Sequence, residues 1–505
     1  MSANLNKIIS SMKSSRSIHR FCIKPILHSA LISYALFSAH LHAQENNRNA
    51  LPDIGAAGIS VLSIEKERQV GDAMMRQLRA TQPIVHDPIL NEYINDLGNR
   101  MVRNANDVNY SFKFFFLNNH ELNAFAFFGG HIGIHTGLLA AADTESELAS
   151  VVAHEISHVT QRHLARRIET QQQNQTLSTA GLISGVLLTL INPTVGMAAL
   201  STSMAASQQA AINYTRGNEK EADRVGIRLL VDSGFDPMGA PNFFGKMAET
   251  YRYTSKPPAM LLTHPLPESR ISDARVRAQN YNTRNVRPSL AFHLAKARIE
   301  ARYQGEAKNN ILTFKKRINK KQYAFKAAAE YALAVAYFEN KEYEQSQQIL
   351  LDLLAADEHN LFYIDVLTDI YINTKNFDAA LEMLSKLNKL MPNNQVVALN
   401  YSNALIEAEK YAEAETLLED YLILQPDSYI AYDLLVTVYR KQKKMAMMHA
   451  AKAEIIALLG GFSRAVDELQ TGYNFADESP LIRKRIKARI LQFQSQEEKL
   501  KRLSK

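Results

Sequence analysis

The feature that most limits what this chain can become is a period. Tyr303, Tyr337, Tyr371, Leu405, Tyr439 and Tyr473 stand 34 residues apart, Tyr343, Phe377, Tyr411 and Met445 keep the same interval, and so do Pro392 and Pro426. Tyrosine makes up only 21 of 505 residues, so this register marks a repeated unit in which each copy packs on the next in the same way. Two antiparallel helices fit such a unit, and stacked pairs form a curved superhelix. The aromatic positions are read as packing rather than as a ligand box, and the copies near Tyr303 and Met445 as degenerate.

Before residue 286 the pattern changes. Apolar residues recur at helical spacing from Ile64 to Asn106, predicting two helices. Tyr110 to Leu117 and Phe125 to Ile134 are aromatic and β-branched, broken by Gly129-Gly130, and predict a small antiparallel sheet. Helices return from Glu145 to about Arg167. The expected architecture is an α+β domain, mostly helical with one small antiparallel sheet, followed by an all-α solenoid. The chain is too long for one core.

The N-terminus reads as an address. Lys7, Lys13, Arg16, Arg20 and Lys24 precede an apolar run from Ile26 to Phe37, and Leu41-His42-Ala43 leads into polar sequence. This predicts a signal peptide cut after about Ala43, the run being shorter than the ~20 residues that span a bilayer. The whole chain carries a net charge of +7, and losing those five cations leaves 53 basic against 51 acidic residues. That balance gives no support for nucleic-acid binding. The only cysteine, Cys22, lies in the same segment, so the mature chain has no disulfide and no thiolate, and any metal must be held by His and carboxylate. The expected organisation is a signal peptide over 1–43, a linker over 44–60, a catalytic domain over 61–285, the repeats over 286–480 and a basic amphipathic helix over 481–505.

The chemistry is expected between residues 154 and 264. His154-Glu155-Ile156-Ser157-His158 sits in an apolar helical run, and residues four apart share a helix face. The two imidazoles can hold one zinc ion, and Glu155 can act as general base toward a water that the ion acidifies. Two histidines and a glutamate inside a core are costly unless something pairs them. His163, five residues on, would be rotated roughly 140° from His158 on a continuous helix and is assigned to the helix surface. Further along, Glu219 and Asp223 are four apart and share a face, while Glu221 points away. Glu219 can supply the third ligand and Asp223 can hold a histidine or steady charge; the bland reading is a solvated start of a charged helix.

His154-Glu-Ile-Ser-His158 followed by Glu219-Lys-Glu-Ala-Asp223, with Asn123-Ala-Phe-Ala and Gly129-Gly130-His-Ile ahead as the substrate-edge strand, resembles the M48 family of zinc metalloproteases over roughly residues 60 to 280. Tyr371-Ile-Asn-Thr-Lys-Asn-Phe-Asp-Ala-Ala-Leu-Glu-Met-Leu resembles a tetratricopeptide repeat. The resemblance implies one Zn2+ per chain held by His154, His158 and Glu219, with Glu155 as general base and Asp223 as a proton donor or as an acid that holds a ligand. Phe128 departs from the proline many members have before the paired glycines, which puts the local turn in question. Thr263-His264-Pro-Leu-Pro-Glu-Ser-Arg270 is similar to a loop of periplasmic members whose histidine can occupy the open metal position, so His264 is the candidate self-inhibitory ligand. The implied setting is the periplasm. The implied clients are unfolded or misassembled outer-membrane proteins, including the lipopolysaccharide-transport barrel, with the barrel assembly machinery as docking partner.

Three expectations complete the reading. The strand around His131 to His135 is expected to pair with an extended substrate by edge addition. Thr170 to Thr215, without a charged residue, is read as a helix pair or flap over the cleft, with lipid contact as the alternative. Ile482, Ile486, Ile490 and Phe493 form one stripe of a terminal helix that caps the solenoid or touches anionic lipid or an acidic partner. Two other function classes stay open: a non-proteolytic chaperone or scaffold for outer-membrane protein assembly, and an integral-membrane protease of the same family.

Overall fold

The computed structural model describes residues 62–174, 205–252, 259–281, 286–476 and 479–503. The expected signal peptide and linker, and the middle of the expected flap, lie outside them. No helix among the described residues is long and apolar enough to cross a membrane.

Helix α1 (Ile64–Thr81) starts at Ser63, whose hydroxyl accepts from the Lys66 amide, and α2 (Pro88–Val102) starts at Asp87, whose carboxylate accepts from the Leu90 amide, with proline in its first turn. These are the residues a helix start favours, since each satisfies an amide that has no partner inside the helix. Strands β1 (Lys113–Leu117), β2 (Ala124–Phe127) and β3 (His131–His135) form one sheet in the order β1-β3-β2. β1 runs parallel to β3, with Phe115 opposite Gly133, and β2 runs antiparallel to it, with Phe125 opposite Gly133. The sheet is therefore mixed rather than antiparallel, because β1 reaches its place by a crossover. The strand expected to receive substrate, His131–His135, is central and paired on both sides, so it has no free edge. The outer edge next to it belongs to β2, the Asn123-Ala-Phe-Ala segment. The turn between them is a short 3-10 turn over Phe128–Gly130 in which Gly129 and Gly130 take φ of +77° and +79°. Phe128 is accommodated ahead of it, because the left-handed positions fall on the glycines.

A short helix, α3 (Thr136–Ala141), leads to α4 (Glu145–Thr160), capped by Thr144. From Ser146 to Thr160 every residue of α4 is buried except His158, which is half-buried. Burying Leu148, Val151, Val152 and Ile156 stabilises it by ~1.5–3 kcal/mol each. Then come α5 (His163–Asn174), α6 (Ala205–Asp232), α7 (Gly239–Tyr251), α8 (Ala259–Thr263) and α9 (Glu268–Gln279). α6 crosses α4 closely: a Cβ on Gly226 would lie 3.2 Å from the His154 amide nitrogen.

The repeats follow as antiparallel pairs: α10 (Leu290–Tyr303) with α11 (Ala307–Asn319), α12 (Lys326–Glu339) with α13 (Tyr343–Ala356), α14 (Leu361–Asn373) with α15 (Phe377–Leu390), α16 (Gln395–Glu407) with α17 (Tyr411–Leu424), α18 (Tyr429–Lys441) with α19 (Met445–Leu458), and α20 (Phe462–Asn474) with the long terminal helix α21 (Pro480–Leu503). The period is written into the backbone. Lys341, Lys375, Glu409 and Lys443, 34 apart, all take positive φ, and the residue after each donates its amide to the carbonyl of Tyr337, Tyr371, Leu405 and Tyr439. α21 buries Ile486 and Phe493 against α19 and α20, the capping role, while Leu481 and Leu491 stay exposed.

The first helices of the pairs face the N-terminal half of the chain. Arg298 on α10, 1% exposed, donates to Asp87 at 2.7 Å and to Asp365 on α14 at 2.6 Å. Asn394 donates to Glu92, Lys113 pairs with Asp427 at 2.8 Å, and His86 stacks on Tyr429. Phe292, Ala295 and Ile299 of α10 belong to the core that also holds α2, α4 and the sheet.

Candidate metal centre

Helix geometry brings the expected residues together. On α6, Glu219, Ala222, Asp223 and Gly226 fall on one face, and the missing side chain at Gly226 lets that face approach α4. His154 Nε2 and His158 Nε2 lie 3.0 Å apart, and Glu219 reaches them at 3.3 and 3.4 Å. The loop after α8 adds His264, whose Nδ1 is 3.0 Å from Glu219. One ligand atom from each of these four residues lies within 4.8 Å of all the others. Glu155, 1% exposed, faces His264 Nε2 from 3.5 Å.

Such a cluster fits a bound cation better than it fits itself. The His154 and His158 rings are close enough to share a proton, but Glu219 Oε2 beside them is buried without a hydrogen-bond partner, a cost that a cation at this point would remove. Glu155 Oε1 and His264 Nε2 are buried without a hydrogen-bond partner, although close to each other. Among the described residues there is no thiolate, and an imidazole and carboxylate set suits a divalent transition metal.

Arg270, from the first turn of α9, ties the acids of α6 in place. It donates to Asp223 at 2.7 and 2.8 Å, approaches Glu219 at 2.8 Å and holds the Pro265 carbonyl at 2.6 Å. Asp223 in turn lies 3.0 Å from His154 Nδ1. Burial opposes ionisation of both acids, yet His264, His154 and His158 hold Glu219 well below the usual carboxylate range, and His154 and Arg270 do the same for Asp223. Burial also opposes charge on His154, but Asp223 and Glu219 outweigh it and lift the ring to about 10. Burial pushes His158 down to about 3 despite Glu219. The carboxylates are thus ionised and His158 keeps a free lone pair, the states in which these side chains bind metal, while His154 carries a proton that a metal would displace from Nε2.

Two sequence expectations are corrected here. His163 is not on the helix surface: it is 4% exposed and its Nδ1 lies 2.9 Å from His158 Nδ1. The helix is not continuous here: α4 ends at Thr160, and Arg162, with φ +52°, turns the chain before α5 begins. Glu221 does not point idly away but meets His163 Nε2 at 3.0 Å and Arg166 at 2.9 Å. Arg270 carried no assigned role, though it belongs to the quoted loop motif six residues past His264. His131 and His135 are buried core residues, pushed down to about 4 by burial, and stand outside the cluster.

A buried two-histidine helix crossed by a carboxylate helix defines a metallopeptidase of the histidine-glutamate-x-x-histidine class. Residues 88–278 match the profile of peptidase family M48, and residues 371–439 match a tetratricopeptide repeat. The chain is 41% identical over 458 residues to a beta-barrel assembly-enhancing protease of Yersinia pestis, covering 91% of this chain and 94% of the relative. It is 39% identical over 486 residues to the protein of that name from Escherichia coli K12, covering 96% and 99%. A shorter likeness, 32% over 133 residues, joins it to the mitochondrial metalloendopeptidase OMA1 of Arabidopsis thaliana, covering 26% of this chain and 25% of that one. The chain belongs to peptidase family M48.

Proposed function

We propose that this chain is a periplasmic zinc endopeptidase that degrades misfolded or stalled outer-membrane β-barrel proteins and assists their assembly through its repeats. The observation that carries the reading is the convergence of His154, His158, Glu219 and His264 within 4.8 Å, supported by relatives named for barrel assembly that align over nearly their whole length. His154, His158 and Glu219 are the proposed ligands of one Zn2+ per chain. When bound, the ion supplies Lewis-acid polarisation of the scissile carbonyl and lowers the pKa of a water. Glu155 is the proposed general base, its free oxygen facing the cluster and available to take a proton and pass it on. Asp223 takes the orienting role rather than that of proton donor, because Arg270 keeps it ionised against His154.

Substrate would add to the outer edge of β2. Strand addition admits only backbone whose hydrogen bonds are unmade, so unfolded segments enter and folded neighbours are spared. His264 stands at the fourth corner, where it would hold the enzyme in a resting state. Export by a signal peptide, and contacts of the repeats with the barrel assembly machinery and the lipopolysaccharide-transport barrel, belong to the same proposal. Metal analysis of the purified mature protein beside Glu219→Ala, together with cleavage of an unfolded barrel protein by the parent and by Glu155→Gln, tests it. We expect about one zinc in the parent, loss of zinc in Glu219→Ala, and loss of cleavage with zinc retained in Glu155→Gln. Full cleavage by Glu155→Gln would remove Glu155 as general base, whereas barrel assembly that survives Glu155→Gln and is lost on changing the repeat surface would leave a non-proteolytic scaffold as the better reading.

A further inference from the structure

We propose that His163 and Glu221 form a positioning chain that fixes which nitrogen of His158 faces the metal; the inference rests on the metal-centre reading above. Hydrogen-bond chemistry sets its direction. Glu221 accepts only, so over the 3.0 Å contact the proton must be on His163 Nε2. A neutral His163 then has a lone pair on Nδ1, and the 2.9 Å contact to His158 Nδ1 closes only if His158 carries its proton there. The remaining nitrogen of His158, Nε2, keeps its lone pair, and this is the atom 3.0 Å from His154 Nε2 and 3.4 Å from Glu219. A carboxylate held by Arg166 at 2.9 Å thus acts through two rings on a ligand atom.

The fold maintains this chain at a cost. His163 reaches His158 because Arg162 reverses the backbone with positive φ, and that arginine is itself buried, bonded to Glu67 at 3.0 Å and to the Leu62 carbonyl at 2.7 Å. A left-handed non-glycine residue and a buried ion pair are both expensive, and here they deliver one imidazole to the back of a metal ligand. The opposite arrangement, a doubly protonated His163 donating to His158, would force the His158 proton onto Nε2 and block the ligand atom. The two arrangements predict opposite effects of removing His163.

The test measures zinc affinity of the full mature chain by competition with a chromophoric chelator, alongside thermal unfolding of the metal-stripped forms and the visible spectrum of the cobalt-substituted forms. His163→Leu should weaken zinc by about 10–100-fold, the range for loss of a group that orients a ligand, and should alter the cobalt spectrum. His163→Gln should recover most of the affinity, since its carbonyl can accept from His158 while its amide donates to Glu221. Equal or tighter binding by a folded His163→Leu, or no advantage of Gln over Leu, overturns the proposal. If the leucine variant does not fold, Glu221→Ala decides: weaker zinc supports the chain and unchanged zinc overturns it. A parent with no bound zinc, or a His158→Ala variant that binds as well as the parent, overturns the metal-centre reading itself and the chain with it.

Discussion

At the scale of residues, the centre is a set of charges that each need the others. Glu219 and Asp223 share Arg270, which also grips the carbonyl of Pro265 beside His264. The same guanidinium therefore holds the acids and the candidate inhibitor in register. Replacing His264 with alanine leaves the proposed ligands and base in the chain and removes only the ring that faces Glu219 and Glu155. Cleavage of an unfolded substrate should rise, on the order of tenfold if the ring holds the site about nine-tenths of the time; unchanged or lower activity with zinc retained would remove the inhibitory role.

At the scale of elements, the site exists because α4 and α6 touch at a glycine. In Gly226→Val the new Cβ would start 3.2 Å from the His154 amide nitrogen, and the helices must part. We expect a loss of stability of about 1–3 kcal/mol from overpacking and a sharp fall in zinc content, with far-UV circular dichroism little changed; normal zinc content would show that the crossing tolerates side chains. This scale also separates what the sequence disclosed from what it hid. Periodicity reveals which face of an element is apolar, so α1, α2, α4 and the repeat helices were legible, as were His154, His158 and Glu219 at their helical spacings. It does not reveal which neighbour that face meets. The reversal at Gln161-Arg162 contains no glycine or proline, so nothing local marks it, and helical spacing alone puts His163 on the wrong side. Strand order was hidden for a related reason: β3 lies between β1 and β2 through long-range pairing, which no local pattern encodes.

At the scale of the whole molecule, the repeats and the peptidase half are joined by buried charge. Arg298 bonds Asp87 and Asp365, and Arg302 approaches Asp87 at 3.7 Å while reaching Glu339 at 2.7 Å and Asp369 at 3.5 Å within the repeats. Burial, helped by Asp365, pushes Asp369 up to about 7. A carboxyl whose pKa is higher folded than unfolded binds its proton more tightly in the folded state. Its contribution to stability is complete below pH ~4 and is lost as pH rises through 7. Asp369→Asn should therefore raise the unfolding midpoint at pH 8 by about one degree, the shift that about 1 kcal/mol produces in a body of this size after allowing for its partial exposure and for Arg302, and should leave it nearly unchanged at pH 4. Calorimetry at the two pH values checks this, and a lower midpoint at pH 8 would mean that the charged form stabilises the repeats through Arg302.

The placement of Phe292, Ala295 and Ile299 of α10 in the core of the other half means that the tail is no detachable accessory. Severed before Ser289, the catalytic portion would present a raw oily scar where α10 had lain, and the freed superhelix would carry the matching one. Neither fragment should behave well in solution, and transplanting either onto another protein would require recutting that seam.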